Sequence, residues 1–154
     1  MRHTLASDPG ASGEFYLTGA FQYMVDQGSR IATAPVEGWW DAGRPETLIE
    51  TNEHLLLIGR GGIDPSATVE DCEVIEPVRF EAGVVVRGGR VGPNVTLEAG
   101  TSVQQCELAH TLVGPDATIE RSRLHDSIIG GRAQVTDTSG TLLVTDQSVV
   151  VGDA

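Results

Sequence analysis

Aliphatic residues recur every six positions through the second half of the chain: Ile63, Val69 and Ile75, then Val85, Val91, Leu97 and Val103. The ladder resumes as Val113 and Ile119, and again as Ile129 and Val135. Four positions after many of these stands a small or β-branched residue: Ala67, Val95, Thr101, Ala117 and Ala133. A second regularity has a spacing of sixteen, which lines up Cys106 to Gly114 with Ser122 to Gly130. Neither period matches an amphipathic helix or a half-buried strand. A unit this short cannot bury an apolar face alone, so neighbouring units must stack on one another. The pattern predicts a left-handed parallel β-helix of hexapeptide repeats from about Ile63 to Val135. Each hexad supplies one short strand and one corner, and three hexads close a turn. The aliphatic residue points into a narrow interior, and the small residue sits at the bend. Breaks around Phe80 and Leu108 read as corner insertions.

Before Gly59–Gly62 the pattern is mixed α/β, which predicts domains at 1–60 and 61–154. Thr18 is placed to cap a short helix with Phe21, Met24 and Val25 on one face and Gly28 as its stop. Ile31 to Val36 reads as a strand, at an edge or strand end because of Pro35. A turn-like segment, Gly38 to Gly43, leads to a second helix. That helix has Pro45 and Glu46 in its first turn, a stripe of Leu48, Ile49, Leu55 and Leu56, and Gly59 just past its end.

Composition narrows the function classes. Aromatic content of 5% with 19 glycines favours turn-rich β architecture over a helical bundle. A net charge of −12 with ten scattered Lys and Arg argues against nucleic acid as a partner. Cys72 and Cys106 have neither the spacing of a zinc site nor the number for a disulfide framework. No apolar run approaches the roughly 20 residues that span a bilayer, and the N-terminus lacks the apolar stretch of a signal peptide. A cytoplasmic protein is expected, with no membrane partner.

Three places could carry chemistry. Gly59–Gly62 and Arg87–Gly92 look like phosphate-cradling loops but lack the strand–loop–helix setting, and read as linker and corner. His110 and His125 lie in the β-helix, where a histidine could act as general base for acyl transfer; only His125 has a neighbouring carboxylate, Asp126. Asp41 follows two tryptophans on a turn, where a carboxylate can be held against a ligand. Magnesium commonly takes one or two protein carboxylates together with phosphate oxygens and water. The competing reading of Asp41 is a cap for the helix that begins at Pro45.

Two stretches together, Gly13-Glu14-Phe15-Tyr16-Leu17-Thr18 and the run from Gly38-Trp39-Trp40-Asp41-Ala42-Gly43 through Pro45-Glu46-Thr47-Leu48 to Asn52, resemble the end of a sugar-1-phosphate nucleotidyltransferase catalytic domain. The likeness is to the glucose-1-phosphate thymidylyltransferase type in its long form with an appended left-handed β-helix, and it covers Gly13 to Val135. The resemblance implies a mainly β chain whose β-helix is preceded by an incomplete α/β segment of a Rossmann-like domain. It also implies that Asp41 is a magnesium ligand and that Glu14 lies on the sugar-phosphate side of the pocket. The substrates implied are a sugar 1-phosphate and a nucleoside triphosphate. Gly19 stands where the family often has Asp. Nothing in the sequence matches the family's glycine-rich nucleotide loop or its other metal-binding Asp. The expectation is therefore a C-terminal fragment, inactive alone, with magnesium bound only in the complete enzyme and a β-helix that forms a homo-oligomer. The helices, evolved to pack on a sheet, should leave Phe15, Phe21, Met24, Trp39 and Trp40 partly exposed. Two other functions remain open: a hexapeptide-repeat acyltransferase with His110 or His125 as base, or a non-catalytic oligomerisation module.

Overall fold

A computed structural model describes residues 16–152. By its internal contacts the chain divides after Trp39. In the first unit, α1 spans Leu17–Asp26 and buries no residue. Its N-cap is Tyr16, so Thr18 lies within the helix instead of capping it. Gly28, at φ +81°, ends the turn as expected. No strand forms over Ile31–Val36. A strand needs a neighbour to accept its backbone hydrogen bonds, and none is found among the described residues. Phe21, Met24, Trp39 and Trp40 are exposed, as their apolar pattern without a partner sheet suggested, while Phe15 lies outside the described residues.

The second unit begins with α2, Pro45–Leu55, followed by an irregular closing turn, Leu56–Arg60, which the chain leaves through Gly59 at φ +88°. Among the described residues, twelve parallel strands follow as one β-helix of about six turns, the left-handed form the repeat pattern implies. They are β1 Gly62–Ile63, β2 Thr68–Val74, β3 Val78–Phe80, β4 Val85–Val91, β5 Val95–Leu97 and β6 Ser102–Val113. Then come β7 Thr118–Glu120, β8 Arg123–Ile129, β9 Gln134–Thr136, β10 Ser139–Gly140, β11 Leu143–Val144 and β12 Val149–Val151. One face of the triangle stacks β1, β3, β5, the end of β6, the end of β8 and β11.

The register corrects the six-residue rule. Val78 pairs with Val95 seventeen residues on, Thr111 with Ser127 sixteen on, and Ile128 with Leu143 fifteen on. Turns therefore fall short of three full hexads. The inward rungs are Phe80, Val86, Val91, Leu97, Val103, Leu108, Val113, Ile119, Leu124, Ile129 and Val135, all buried. Phe80 and Leu108 are thus rungs, not insertions. Val85 points the other way and only half-buries, while Val84 and Val86 on either side are fully enclosed. Ile63 and Val69 occupy rung positions but stay exposed, because they belong to the first turn and have a neighbour on one side only.

Corners follow the small-residue expectation. Val95, Thr101, Ala117 and Ala133 are fully buried, and Ala67 packs at the edge of the core. One corner stacks Asp71, Gly88, Gln105, Arg121 and Asp137, all with positive φ. Left-handed backbone is cheap for glycine and costs other residues about 1 kcal/mol or more, so the repeated stacking must hold it in place. Buried hydroxyls satisfy the same bends: Thr111, Ser122 and Ser127 each donate to the carbonyl two residues back.

Candidate functional site

Asp41 is exposed on the turn before α2, and its Oδ1 accepts the Gly43 N–H at 3.0 Å. A Cβ on Gly43 would stand 3.1 Å from that oxygen, so glycine leaves room for the carboxylate to fold over its own turn. Oδ2 has no hydrogen-bond partner among the described residues. The capping reading is overturned. Arg44 occupies the N-cap, its N–H donating to Thr47 Oγ1 at 3.3 Å and its carbonyl accepting the Thr47 hydroxyl at 3.1 Å. Asp41 lies too far upstream of Pro45 to reach the first free amides of the helix.

Beside Asp41, the Trp40 indole stacks on the His54 imidazole, with centroids 3.8 Å apart and planes 19° from parallel. His54 belongs to the last turn of α2. The same helix lies against the β-helix. Asn52 Oδ1 accepts the Thr96 hydroxyl at 2.7 Å, and Leu48, Leu55 and Leu56 line a groove with Leu112. Sequence reasoning missed the Trp40–His54 stack and the Asn52–Thr96 hydrogen bond. A signal was present in Leu112-Val113, Ile128-Ile129 and Leu143-Val144. Two adjacent aliphatics on a strand point to opposite faces, so both faces expect cover.

The two histidines occupy different hollows. His110 faces α2 across a cavity of about 300 Å³ lined by Glu46, Glu50, Glu53 and Asp126. Its Nδ1 lies 3.3 Å from the Asn94 amide and 4.0 Å from Glu53 Oε2. His125 is exposed, with Nδ1 3.0 Å from Asp126 Oδ2 and 3.3 Å from the Thr141 hydroxyl. Glu14 lies outside the described residues.

Burial pushes the Cys106 and Cys72 thiols up, which leaves them protonated and poor nucleophiles near neutrality. Burial, with Glu81 and Asp146 nearby, raises the Glu98 carboxyl. A hydrogen bond from Arg121 holds Asp137 below the usual carboxylate range. Among the described residues no group of three or more His, Cys, Asp or Glu is placed to hold a metal ion. A magnesium ion needs more donors than the single carboxylate of Asp41, so the described residues do not make a magnesium site by themselves. No described helix is long and apolar enough to cross a membrane.

No protein-family profile matches the chain. Individual relatives do. A glucose-1-phosphate thymidylyltransferase of Streptomyces griseus is 29% identical over 149 residues, covering 85% of this chain and 42% of the relative. A low-salt glycan biosynthesis nucleotidyltransferase of Haloferax volcanii is 34% identical over 142 residues, covering 88% of this chain and 39% of the relative. The bifunctional protein GlmU of Corynebacterium aurimucosum is 26% identical over 165 residues, covering 97% of this chain and 32% of the relative. The chain thus spans well under half the length of these relatives, and it matches their C-terminal part. The likeness read from the Trp40–Gly43 turn and the β-helix is borne out.

Proposed function

We infer from this kinship with the C-terminal part of sugar nucleotidyltransferases that the chain serves nucleotidyl transfer as part of an enzyme that makes an NDP-sugar such as dTDP- or UDP-glucose. In that reaction an oxygen of the sugar 1-phosphate attacks the α-phosphorus of a nucleoside triphosphate. The bond to the β-phosphate breaks, and pyrophosphate leaves. The observation that carries the reading is the Asp41 turn, seated on a helix that packs directly on a β-helix. Asp41 would supply one of the magnesium ligands, and Glu14 would lie on the sugar-phosphate side. Catalysis of this kind depends on positioning and on charge neutralisation by metal and basic groups.

This sequence holds neither a glycine-rich triphosphate loop nor a second metal-binding Asp matched to the family, so the chain alone does not turn over. Pyrophosphate release from dTTP or UTP with glucose 1-phosphate and magnesium tests this. Clear turnover by the purified chain would sink the reading. The β-helix is the element expected to assemble copies of the chain, which sedimentation over a range of concentrations would detect. Acyl transfer is the second reading, favoured by the 3.0 Å contact between His125 and Asp126. Acetyl-CoA-dependent transfer that disappears in His125→Ala, or in His110→Ala, would establish it.

A further inference from the structure

The turn bearing Asp41 is exposed, and its own hydrogen bond closes only the three residues from Asp41 to Gly43. What fixes it relative to the rest of the unit lies further along the chain. We propose that the β-helix sets the position of the Asp41 turn through α2, with His54 and Asn52 as positioning residues. Trp40, directly before Asp41, lies flat on His54. Two residues earlier on the same helix, Asn52 accepts the hydroxyl of Thr96, which is 8% exposed on β5. That bond is the sole hydrogen bond of the Asn52 side chain among the described residues, and its Nδ2 is buried without a partner.

Just beyond α2, Leu56 is buried, its Cδ2 3.6 Å from where a Gly61 Cβ would stand. A Gly61 Cβ would also stand 2.8 Å from the Val78 carbonyl, so the turn after the helix enters the β-helix at close quarters. The path is therefore contiguous: Thr96 hydroxyl, Asn52, the rigid backbone of α2, the His54 ring, the Trp40 ring, Asp41. Each non-covalent link in it is directional, a hydrogen bond or a ring stack, and so transmits orientation as well as proximity. A helix held only by apolar contact could slide or roll on the outer face of the β-helix. The Thr96 bond fixes its register and the stack fixes the turn to its end. The inference rests on the reading of Asp41 as a ligand-bearing residue only for its functional consequence.

The test uses the full chain labelled with ¹⁵N. His54→Ala should move the Trp40 indole N–H resonance to the position of a free indole and speed exchange of the Gly43 amide several-fold. His54→Phe, which keeps a flat ring, should restore both. Thr96→Val and Asn52→Leu should speed Gly43 exchange while the core amides of Ile119 and Val135 stay protected. If both leave Gly43 unchanged, or if His54→Ala leaves the Trp40 indole unshifted, the proposal is overturned. Manganese(II) alone tests the metal reading separately. Broadening of Gly43 in the wild type that is lost in Asp41→Asn supports that reading. Broadening that persists in Asp41→Asn sinks it and leaves the exchange result standing.

Discussion

The β-helix and the segment Tyr16–Trp39 contain similar apolar side chains and treat them in opposite ways. In the β-helix, Val86, Val103 and Ile119 are fully enclosed because each turn is roofed by the next. In α1, Phe21, Met24 and Val25 share a helical face and each remains close to half exposed. A stack of repeats carries its own partner within the sequence, so burial needs only local neighbours. A single amphipathic helix does not, and its stability depends on whatever covers it.

The sharpest way to break this comparison is to remove matched apolar groups from the two regions. Ile119→Ala should cost about 2–5 kcal/mol in chemical denaturation followed by circular dichroism, because its cavity cannot collapse. Phe21→Ala should change the same transition by less than about 0.5 kcal/mol, as surface substitutions do. Equal effects would mean that α1 is packed more firmly than its exposure indicates.

Glycines offer a second matched pair. Gly92 has φ +112°, and a Cβ there would stand 1.9 Å from the Ile75 carbonyl oxygen. Gly92→Ala should therefore cost on the order of 3 kcal/mol, the upper end for strained backbone. Gly28 also has positive φ, but nothing lies within 4 Å of its Cβ position. Gly28→Ala should fray the end of α1 and leave the main thermal transition in place.

Limited proteolysis sharpens the boundary between the regions. The sequence alone places the resistant core near Ile63. Docking of α2 on the β-helix moves the expected start upstream, close to Trp40. N-terminal sequencing of the protected fragment decides between the two positions.

The smallest effect is in acid. The Arg121 guanidinium holds the Asp137 carboxyl below its ordinary range, so the folded state binds that proton more weakly than the unfolded chain. The bond contributes stability above the ordinary carboxylate range, and the contribution is lost as pH falls through the depressed value. Asp137→Asn should flatten that part of the melting-temperature profile by lowering the neutral value slightly, since the pair is exposed and its contribution small.

Much of the β-helix was legible because its rungs are aliphatic and evenly spaced: Val91, Leu97, Val103, Val113, Ile119, Ile129 and Val135 all lie where the ladder put them. The ladder slipped at Val85 and Ile75, and the reason is physical. Some corners use one residue fewer, and a shift of one residue on a strand exchanges inside for outside. The Asp41 turn was legible as a motif. Its supports were not, because Thr96 lies 44 residues from Asn52 in sequence and no local period links them. The expected strand at Ile31–Val36 failed for the converse reason: β-branched residues favour a strand only when another strand is present to pair with it.

The shortening of the turns, from seventeen residues to sixteen to fifteen, bears on how copies of this chain could meet. A solenoid of constant perimeter presents matching rims at its two ends and can propagate head to tail as a filament. Among the described residues the last turn is two residues shorter than the first, so the two rims differ in perimeter. Unequal perimeters of this kind work against a regular stack of identical copies joined rim to rim.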